Sequence, residues 1–306
     1  MSDVDLRALR VGVVGWGEVG GIFSAALRPG VAWVGAWDAK LTDPHHRQHL
    51  TSRQSVQGVA VCAGVRDLCE HSDLVISAVT ASNTLAVARE LALHLRPHTW
   101  VLDLNSASPG TKLAAARCVH EVGARYVEAG VMTSVPPHGV AVPMLLGGPH
   151  AADLQSVLAA LGMRTEVASE RLGVASATKM CRSVMIKGLE ALVIESYTTA
   201  RHYGVEDAMI ATLQETFPGI DWIGQGGYFF SRVAQHGRRR AEEMREVANT
   251  VREAGFEPFM ASAIAAKDDW MADQAQTGCF ATLAQRAPWQ QFADVLLAAR
   301  PAANDG

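Results

Sequence analysis

Three glycines near the start of the chain have the spacing that a pyrophosphate site needs. The short, β-branched run Val11-Gly12-Val13-Val14 feeds Gly15-Trp16-Gly17-Glu18-Val19-Gly20, and Ile22 to Leu27 continue in a helix-like pattern. In such a Gly-x-Gly-x-x-Gly turn the first glycine permits the tight exit from a strand. The second lets a pyrophosphate approach the backbone, and the third lets the helix pack close to the strand. Free N–H groups in the first helical turn then face the anion. A second apolar run, Val31 to Trp37, ends in Asp38. Its distance from the glycines is the one at which a carboxylate accepts hydrogen bonds from an adenosine ribose. Together these residues read as a dinucleotide site. A carboxylate at Asp38 also repels a 2′-phosphate, which favours NAD. Lys40 and Arg47 are near enough in sequence to offset that repulsion, so NADP is the alternative.

Residues directly after other apolar runs supply the remaining candidates. Val79 and Thr80 follow one run, and Asn105 and Ser106 follow another. A side chain at 105 or 106 can bond to a nicotinamide ribose or to a substrate carboxylate, while Ser108 caps a helix with Pro109 at its first position. Thr133 and Ser134, ahead of Pro136-Pro137, offer hydroxyls and backbone N–H groups to a substrate, with a plain structural turn as the competing reading. Farther on, Ser176, Lys179, Arg182, Ser183, Lys187 and Glu190 fall on one stripe at helical spacing. The stripe is either the wet face of an amphipathic helix or a row of groups facing a substrate. Arg182 has two readings, a fork onto a substrate carboxylate or phosphate and an ion pair with an acid such as Glu190. Lys187 and Glu190 have the spacing of a structural pair.

These groups need a scaffold, and the alternation of patterns describes one. Strands are expected at Arg10–Val14, Ala32–Trp37, Val59–Cys62, Leu74–Ala78, Trp100–Asp103, Arg125–Ala129 and Pro143–Gly147. Helical patterns such as Ser82–Leu95 and Ser108–Val122 lie between them. Alternation of this kind predicts an α/β fold, a Rossmann-type doubly wound parallel sheet that binds ligands at the carboxyl ends of its strands. After Ser169 the pattern becomes all-helical, starting with a long helix from 174 to about 203. Breaks are expected near Pro218-Gly219, Gly224–Gly227, Gly237 and Gly255–Pro258. The expected division is a dinucleotide-binding domain over 1–168 and a helical domain over 169–306, with a frayed tail from Pro301.

Composition narrows the function classes. The chain has 306 residues, with 27 basic against 31 acidic side chains. It carries no basic field of the kind nucleic acid requires. The first ten residues lack a signal peptide's apolar core, and no run is long enough to span a bilayer. The five cysteines are scattered without C-x-x-C spacing, which argues against disulfides and structural zinc. His45, His46 and His49 fall in a polar, turn-rich stretch that reads as a solvated loop, so no metal is expected. The protein reads as cytoplasmic. His236 with Arg238, Arg239 and Arg240 is the single basic knot, with two readings: part of it reaching an anionic substrate group across a dimer interface, or, favoured here, a solvated face paired with Glu242, Glu243 and Glu246. The stretch from Trp222 to Phe230 reads as core and turn rather than pocket lining.

Taken together, these features resemble the β-hydroxyacid dehydrogenase and 6-phosphogluconate dehydrogenase superfamily over nearly the whole chain. Gly15 to Gly20 match its nucleotide turn. Asp103-Leu104-Asn105-Ser106-Ala107-Ser108-Pro109 resembles its Asp-x-Ser-Thr-x-x-Pro segment beside nicotinamide and substrate. Glu128-Ala129-Gly130-Val131-Met132-Thr133-Ser134 stands in the place of its Asp-Ala-Pro-Val-Ser-Gly-Gly substrate loop, and Gly173 to Met180 resembles the segment bearing the catalytic lysine. Lys179-Met180-Cys181-Arg182-Ser183, Lys187 to Leu192 and His236 to Met244 are similar to a bacterial branch with its own helical C-terminal domain of unassigned function. The resemblance implies a 6-phosphogluconate dehydrogenase-like helical domain, a homodimer and a small-molecule substrate, an anion or an alcohol. It also implies that Lys179 is the general acid/base, with Met132, Thr133, Ser134, Arg182 and Ser183 joining Asn105 and Ser106 around the substrate. Burial and Arg182 one turn away would lower the lysine's pKa toward the working range. The sequence departs from the family at Met132-Thr133-Ser134, at Ser183 where an Asn is usual, and at a later Lys-Asp pair that is expected to be replaced near Glu242-Glu243.

The expected activity is NAD(P)-dependent hydride transfer involving a small hydroxy acid or related secondary alcohol. The alternatives are an imine reductase on the same scaffold, against which Lys179 speaks, and a nucleotide-binding protein without catalysis.

Overall fold

The first strand, β1, spans Arg10–Val14 and is followed by β2 at Trp33–Trp37, β3 at Ala60–Val61, β4 at Leu74–Ser77, β5 at Trp100–Asp103, β6 at Arg125–Val131, β7 at Met144–Gly147 and β8 at Thr165–Ser169. In the computed structural model, which describes residues 5–48, 52, 58–284 and 287–299, these strands form one sheet in the order β3-β2-β1-β4-β5-β6-β7-β8. Among the described residues the chain divides into two compact units, one to Cys181 and the other from Arg182. His49 and the tail from Pro301 lie outside the described residues.

In the first unit, neighbouring residues of the central strands serve opposite faces of the sheet. Val13, Ile76, Leu102 and Val127 belong to one buried cluster. Their neighbours Val14, Val75, Val101 and Tyr126 belong to another. This is the two-residue alternation of a pleated strand with both faces covered, and it explains why the runs read as continuously apolar. The covering helices are α1 at Glu18–Leu27, α2 at Val65–His71, α3 at Thr84–Ala92, α4 at Pro109–Glu121 and α5 at Ala151–Ala160. Ser108 caps α4 as expected, its hydroxyl accepting from Thr111 N–H at 3.2 Å.

Two features of the sheet differ from the expected parallel arrangement. β7 pairs antiparallel with β6, because their connection contains only the short 3-10 turn Gly139–Ala141 and a parallel return needs a longer crossover. β8, parallel to β7, falls where the sequence suggested a domain junction. Its side chains are alternately half-buried and exposed, so this edge strand lacks the apolar run that marks the others.

α6 at Val174–Tyr203 carries the chain into the second unit. There α7 at Glu206–Thr216, α8 at Trp222–Glu253, α9 at Phe259–Gln276 and α10 at Trp289–Ala298 follow. Of the breaks expected in this region, those near Pro218-Gly219 and Gly255–Pro258 fall between helices, whereas the glycines at 224–227 and 237 do not break the helix. α8 runs through Gly224–Gly227 and Gly237 without interruption. A Cβ on Gly226 would lie 2.9 Å from both Trp289 and Tyr197, and one on Gly237 would lie 2.6 Å from the Asp268 carbonyl oxygen. The glycines therefore permit close packing instead of ending the helix. Trp222, Phe229 and Phe230 join the buried cluster around Tyr197 and Trp289, as a core reading requires. No described helix is long and apolar enough to cross a membrane.

Candidate active site

The carboxyl ends of β1, β2, β4, β5 and β6 lie side by side on one edge of the sheet, since these strands are mutually parallel. Gly15 leaves β1 with φ of +87°, and a Cβ there would lie 2.5 Å from the Ala78 carbonyl oxygen. A Cβ on Gly20 would fall on the carbonyl oxygen of Gly15, whereas one on Gly17 would meet nothing within 4 Å. The turn is thus closed where strand and helix approach and open where a phosphate would come in. α1 begins at Glu18, and the N–H groups of its first turn have no partner within the helix. Glu18 is exposed and Val19 half-buried. These features fit a bound dinucleotide.

Trp16 is placed differently from the rest of the turn. Its ring is fully buried and its indole N–H donates to Ser24 Oγ at 3.0 Å, so only its backbone borders the edge. That backbone N–H donates to Asp38 Oδ2 at 2.7 Å, and Lys40 N–H donates to Asp38 Oδ1 at 2.9 Å. Each carboxylate oxygen retains capacity for another hydrogen bond. Asp38 therefore fixes the glycine turn and can also accept from ribose hydroxyls. The Lys40 side chain is exposed nearby.

Asn105 is 3 % exposed. Its Oδ1 accepts from Val79 N–H at 2.7 Å, and its Nδ2 donates to Ser77 Oγ at 3.0 Å. The amide ties the ends of β4 and β5 together, at the strand end where a side chain facing ribose or substrate is expected. Thr80 is exposed and accepts from Asn83 Nδ2 at 2.8 Å. Ser106, one residue on, is half-buried and meets the lysine: Lys179 Nζ donates to Ser106 Oγ at 2.5 Å. Gly130 makes this approach feasible, since a Cβ there would lie 2.9 Å from the Ala175 carbonyl oxygen and 3.5 Å from Lys179 Cβ. Met132, Thr133 and Ser134 follow β6 at the same edge, with Met132 N–H donating to the Pro143 carbonyl at 2.9 Å. Thr133 is exposed, and Met132 and Ser134 are half-buried.

The polar stripe on α6 divides with the units. Ser176 and Lys179 belong to the first. In the second, Arg182 is exposed and Ser183 buried. Lys187 does not pair with Glu190. Its Nζ donates to Glu243 at 2.5 Å, while Glu190 forms a buried pair with Arg240. Burial lowers the pKa of Lys187 and of Arg240 below their usual values. Arg238 pairs with Asp269 and Asp273, and Arg239 with Glu243. The three arginines of the basic knot are thus spent on acids of their own unit, although Arg240 is a core residue and not part of a solvated face. A Lys-Asp pair does stand on the later helix α9, as Lys267 and Asp268. Lys267 Nζ lies 3.2 Å from Glu195 Oε2, and Asp268 is fully buried.

Two groups escaped the sequence reading. Glu128 is a buried carboxylate beneath α6, and Asp268 is a buried carboxyl in the helical unit. The donors that meet Glu128 and the charges nearest Asp268, Arg240 and Lys187, are remote in sequence, so spacing gave no signal of either. Among the described residues no group of three His, Cys, Asp or Glu side chains is placed to hold a metal ion.

Residues 10–169 match the NAD binding domain of 6-phosphogluconate dehydrogenase, and residues 200–270 match a domain of unknown function, DUF1932. A conserved hypothetical protein from Sinorhizobium meliloti 1021 is 33 % identical, with a TM-score of 0.74 over 97 % of this chain and 99 % of that one. A conserved protein described as structurally similar to 3-hydroxyacid dehydrogenases is 30 % identical, with a TM-score of 0.67 over 88 % of this chain and 98 % of its own. The 3-hydroxyisobutyrate dehydrogenase of Mycobacterium tuberculosis, solved with L-serine, shares the fold at 15 % identity and a TM-score of 0.68, covering 96 % of this chain and all of that one. The first unit is therefore an NAD-binding domain, and the chain belongs to the β-hydroxyacid dehydrogenase family that pairs this domain with a helical C-terminal one.

Proposed function

We propose that the protein is a cytoplasmic, homodimeric NAD(P)-dependent oxidoreductase acting on a small hydroxy acid or related secondary alcohol, with Lys179 as general acid/base. The observation that carries this reading is the 2.5 Å hydrogen bond between Lys179 Nζ and Ser106 Oγ, at the edge of the sheet that bears the glycine turn and Asp38. Gly15, Gly17 and Gly20 would receive the pyrophosphate and Asp38 the adenosine ribose. When bound, the nicotinamide accepts or returns a hydride at the substrate carbon. Lys179 handles the proton. As a neutral amine it removes the hydroxyl proton of an alcohol, and as an ammonium it polarises the carbonyl oxygen and returns that proton. Ser106 holds Nζ in place, and Met132, Thr133 and Ser134 line the approach. Arg182 supplies a fork for a substrate carboxylate. The helical domain serves substrate binding and dimerisation, a role supported by the family resemblance and by the exposed Met185, Phe256 and Phe259 of the second unit.

A panel of hydroxy acids and aromatic alcohols, assayed with NAD and NADP for absorbance of reduced nicotinamide, tests the reading. Cofactor binding without turnover of any alcohol, hydroxy acid or keto acid would overturn it, and turnover confined to imines would favour the reductase alternative.

Asp38→Ala is expected to shift the preference toward NADP by about tenfold, or about 1.4 kcal/mol. Affinity for both cofactors should fall together, since the Trp16 N–H loses its acceptor as well. Isothermal titration of both cofactors measures the ratio, and an unaltered ratio means that Asp38 does not read the ribose.

A further inference from the structure

We propose that Asp103 and Glu128 are positioning residues that fix the Ser106–Lys179 hydrogen bond from its two ends. The inference rests on the reading of Lys179 as the proton-transfer group. The two carboxylates are register partners on β5 and β6. Asp103 is 2 % exposed and Glu128 0 %, so neither can meet a substrate, and each is spent on one side of the pair.

Asp103 holds the serine side. Its Oδ1 accepts from Asn105 N–H at 2.8 Å and lies 2.8 Å from Lys112 Nζ. The same Nζ donates to the Asp103 carbonyl at 3.1 Å, and Tyr126 O–H donates to Oδ2 at 2.5 Å. The segment that enters Ser106 is thereby gripped at its carboxylate, its carbonyl and its second N–H. Burial and the neighbouring carboxylates, Asp103 first, raise the pKa of the Tyr126 phenol far above its usual value, which keeps it a donor.

Glu128 holds the lysine side. Its Oε1 accepts from Gly173 N–H at 2.7 Å and from Ala175 N–H at 3.2 Å, and its Oε2 accepts from Ser176 O–H at 2.7 Å. These are donors at the start of α6, where helical N–H groups lack partners and a negative charge is favoured. Lys179 lies one turn beyond Ser176 on the same face. A Cβ on Gly147 would collide with Glu128 Oε1, so the sheet leaves room for this carboxylate only because residue 147 is glycine. Two buried carboxylates are a costly way to join a loop and a helix to a sheet, and apolar packing would do so with less desolvation. What hydrogen-bonded charges add is direction. They fix the rotation of α6 and the course of the 103–109 loop within the narrow tolerance that a preorganised site requires.

The test uses the full chain with the best substrate of the panel. Glu128→Gln is expected to lower kcat about 10- to 100-fold, the loss that ångström-scale misplacement produces, with KM and cofactor Kd nearly unchanged. Ser176→Ala and Tyr126→Phe, which keep both carboxylates and disturb the fold less, should lower kcat in the same sense by a smaller factor. In a Lys179→Ala background none of the three should cost anything more, because the group they position is gone. Wild-type kcat in all three variants, or the same loss with and without Lys179, overturns the positioning role while leaving the proposed function intact. Full turnover by Lys179→Ala alone overturns the function itself, and the positioning role with it.

Discussion

Lys179→Ala is expected to lower turnover about 10²- to 10⁴-fold, the range that a lost proton-transfer group produces, with NAD(H) affinity within a few-fold of wild type. The dissociation follows from where each group sits. The elements proposed to hold the dinucleotide are the Gly15–Gly20 turn, the first turn of α1 and Asp38, whose carboxylate is tied to that turn through Trp16 N–H. Lys179 contributes to none of these, and its Nζ donates to Ser106 after β5. Removing the side chain therefore takes away the proton donor and acceptor but leaves the cradle. Lys179→Arg should be nearly as inactive. A guanidinium keeps the charge and the hydrogen-bond donors, yet it does not give up its proton in the working pH range. The comparison separates proton transfer from simple charge stabilisation. Steady-state rates on the best substrate of the panel, together with cofactor binding by fluorescence, provide both readings. Unchanged turnover in the alanine variant would remove Lys179 from the mechanism, and wild-type turnover in the arginine variant would reduce its role to electrostatics.

The parts of this site that the sequence displays are those made by neighbours in the chain. The central strands are legible because burial on both faces leaves an unbroken apolar run, and the glycine turn is legible because strand, turn and helix are contiguous. What spacing does not display is who meets whom across the fold. The stripe on α6 reads as a single face, yet Ser176 serves Glu128, Lys179 serves Ser106, and Lys187 and Glu190 go to Glu243 and Arg240 on α8. Asn105 was visible as a polar residue after a strand, but its use as a tie between β4 and β5 depends on Ser77 and Val79. The glycines of α8 misled for the same reason. Glycine lowers helix propensity locally, and only the approach of Tyr197, Trp289 and the Asp268 backbone shows why it is needed there. β8 was missed because an edge strand with alternating exposure carries no apolar run.

The same remoteness hides Asp268, and substituting it should produce the largest change in stability outside the active site. Asp268 lies on α9 with 0 % exposure, and neither carboxyl oxygen has a hydrogen-bond partner among the described residues. Burial pushes its pKa up from 3.8 to about 7, with Glu243 and Asp269 adding to the rise and Arg240 and Lys187 opposing it. The unfolded chain ionises this carboxyl near pH 4, while the folded helical unit keeps it protonated until about pH 7. Between those values the folded state binds one proton more, so stability falls as pH rises. The contribution is fully present below the unfolded pKa and is lost by the time pH passes the folded one. A gap of about 3 units at 1.36 kcal/mol each makes the swing about 4 kcal/mol. Asp268→Asn keeps the shape and stays neutral, so it should not show that loss. The quantity to measure is the difference between wild type and variant, because carboxylates held low by arginines, such as Asp73, Glu206 and Asp294, cancel from it. Hydrogen exchange of α9 amides from pH 5 to pH 8, corrected for intrinsic rates, should show the variant gaining protection over wild type until about pH 7 and holding that gain beyond it. A difference that stays flat across the whole range would mean that Asp268 is already ionised in the folded unit, and that Lys187 and Arg240 compensate its burial in full.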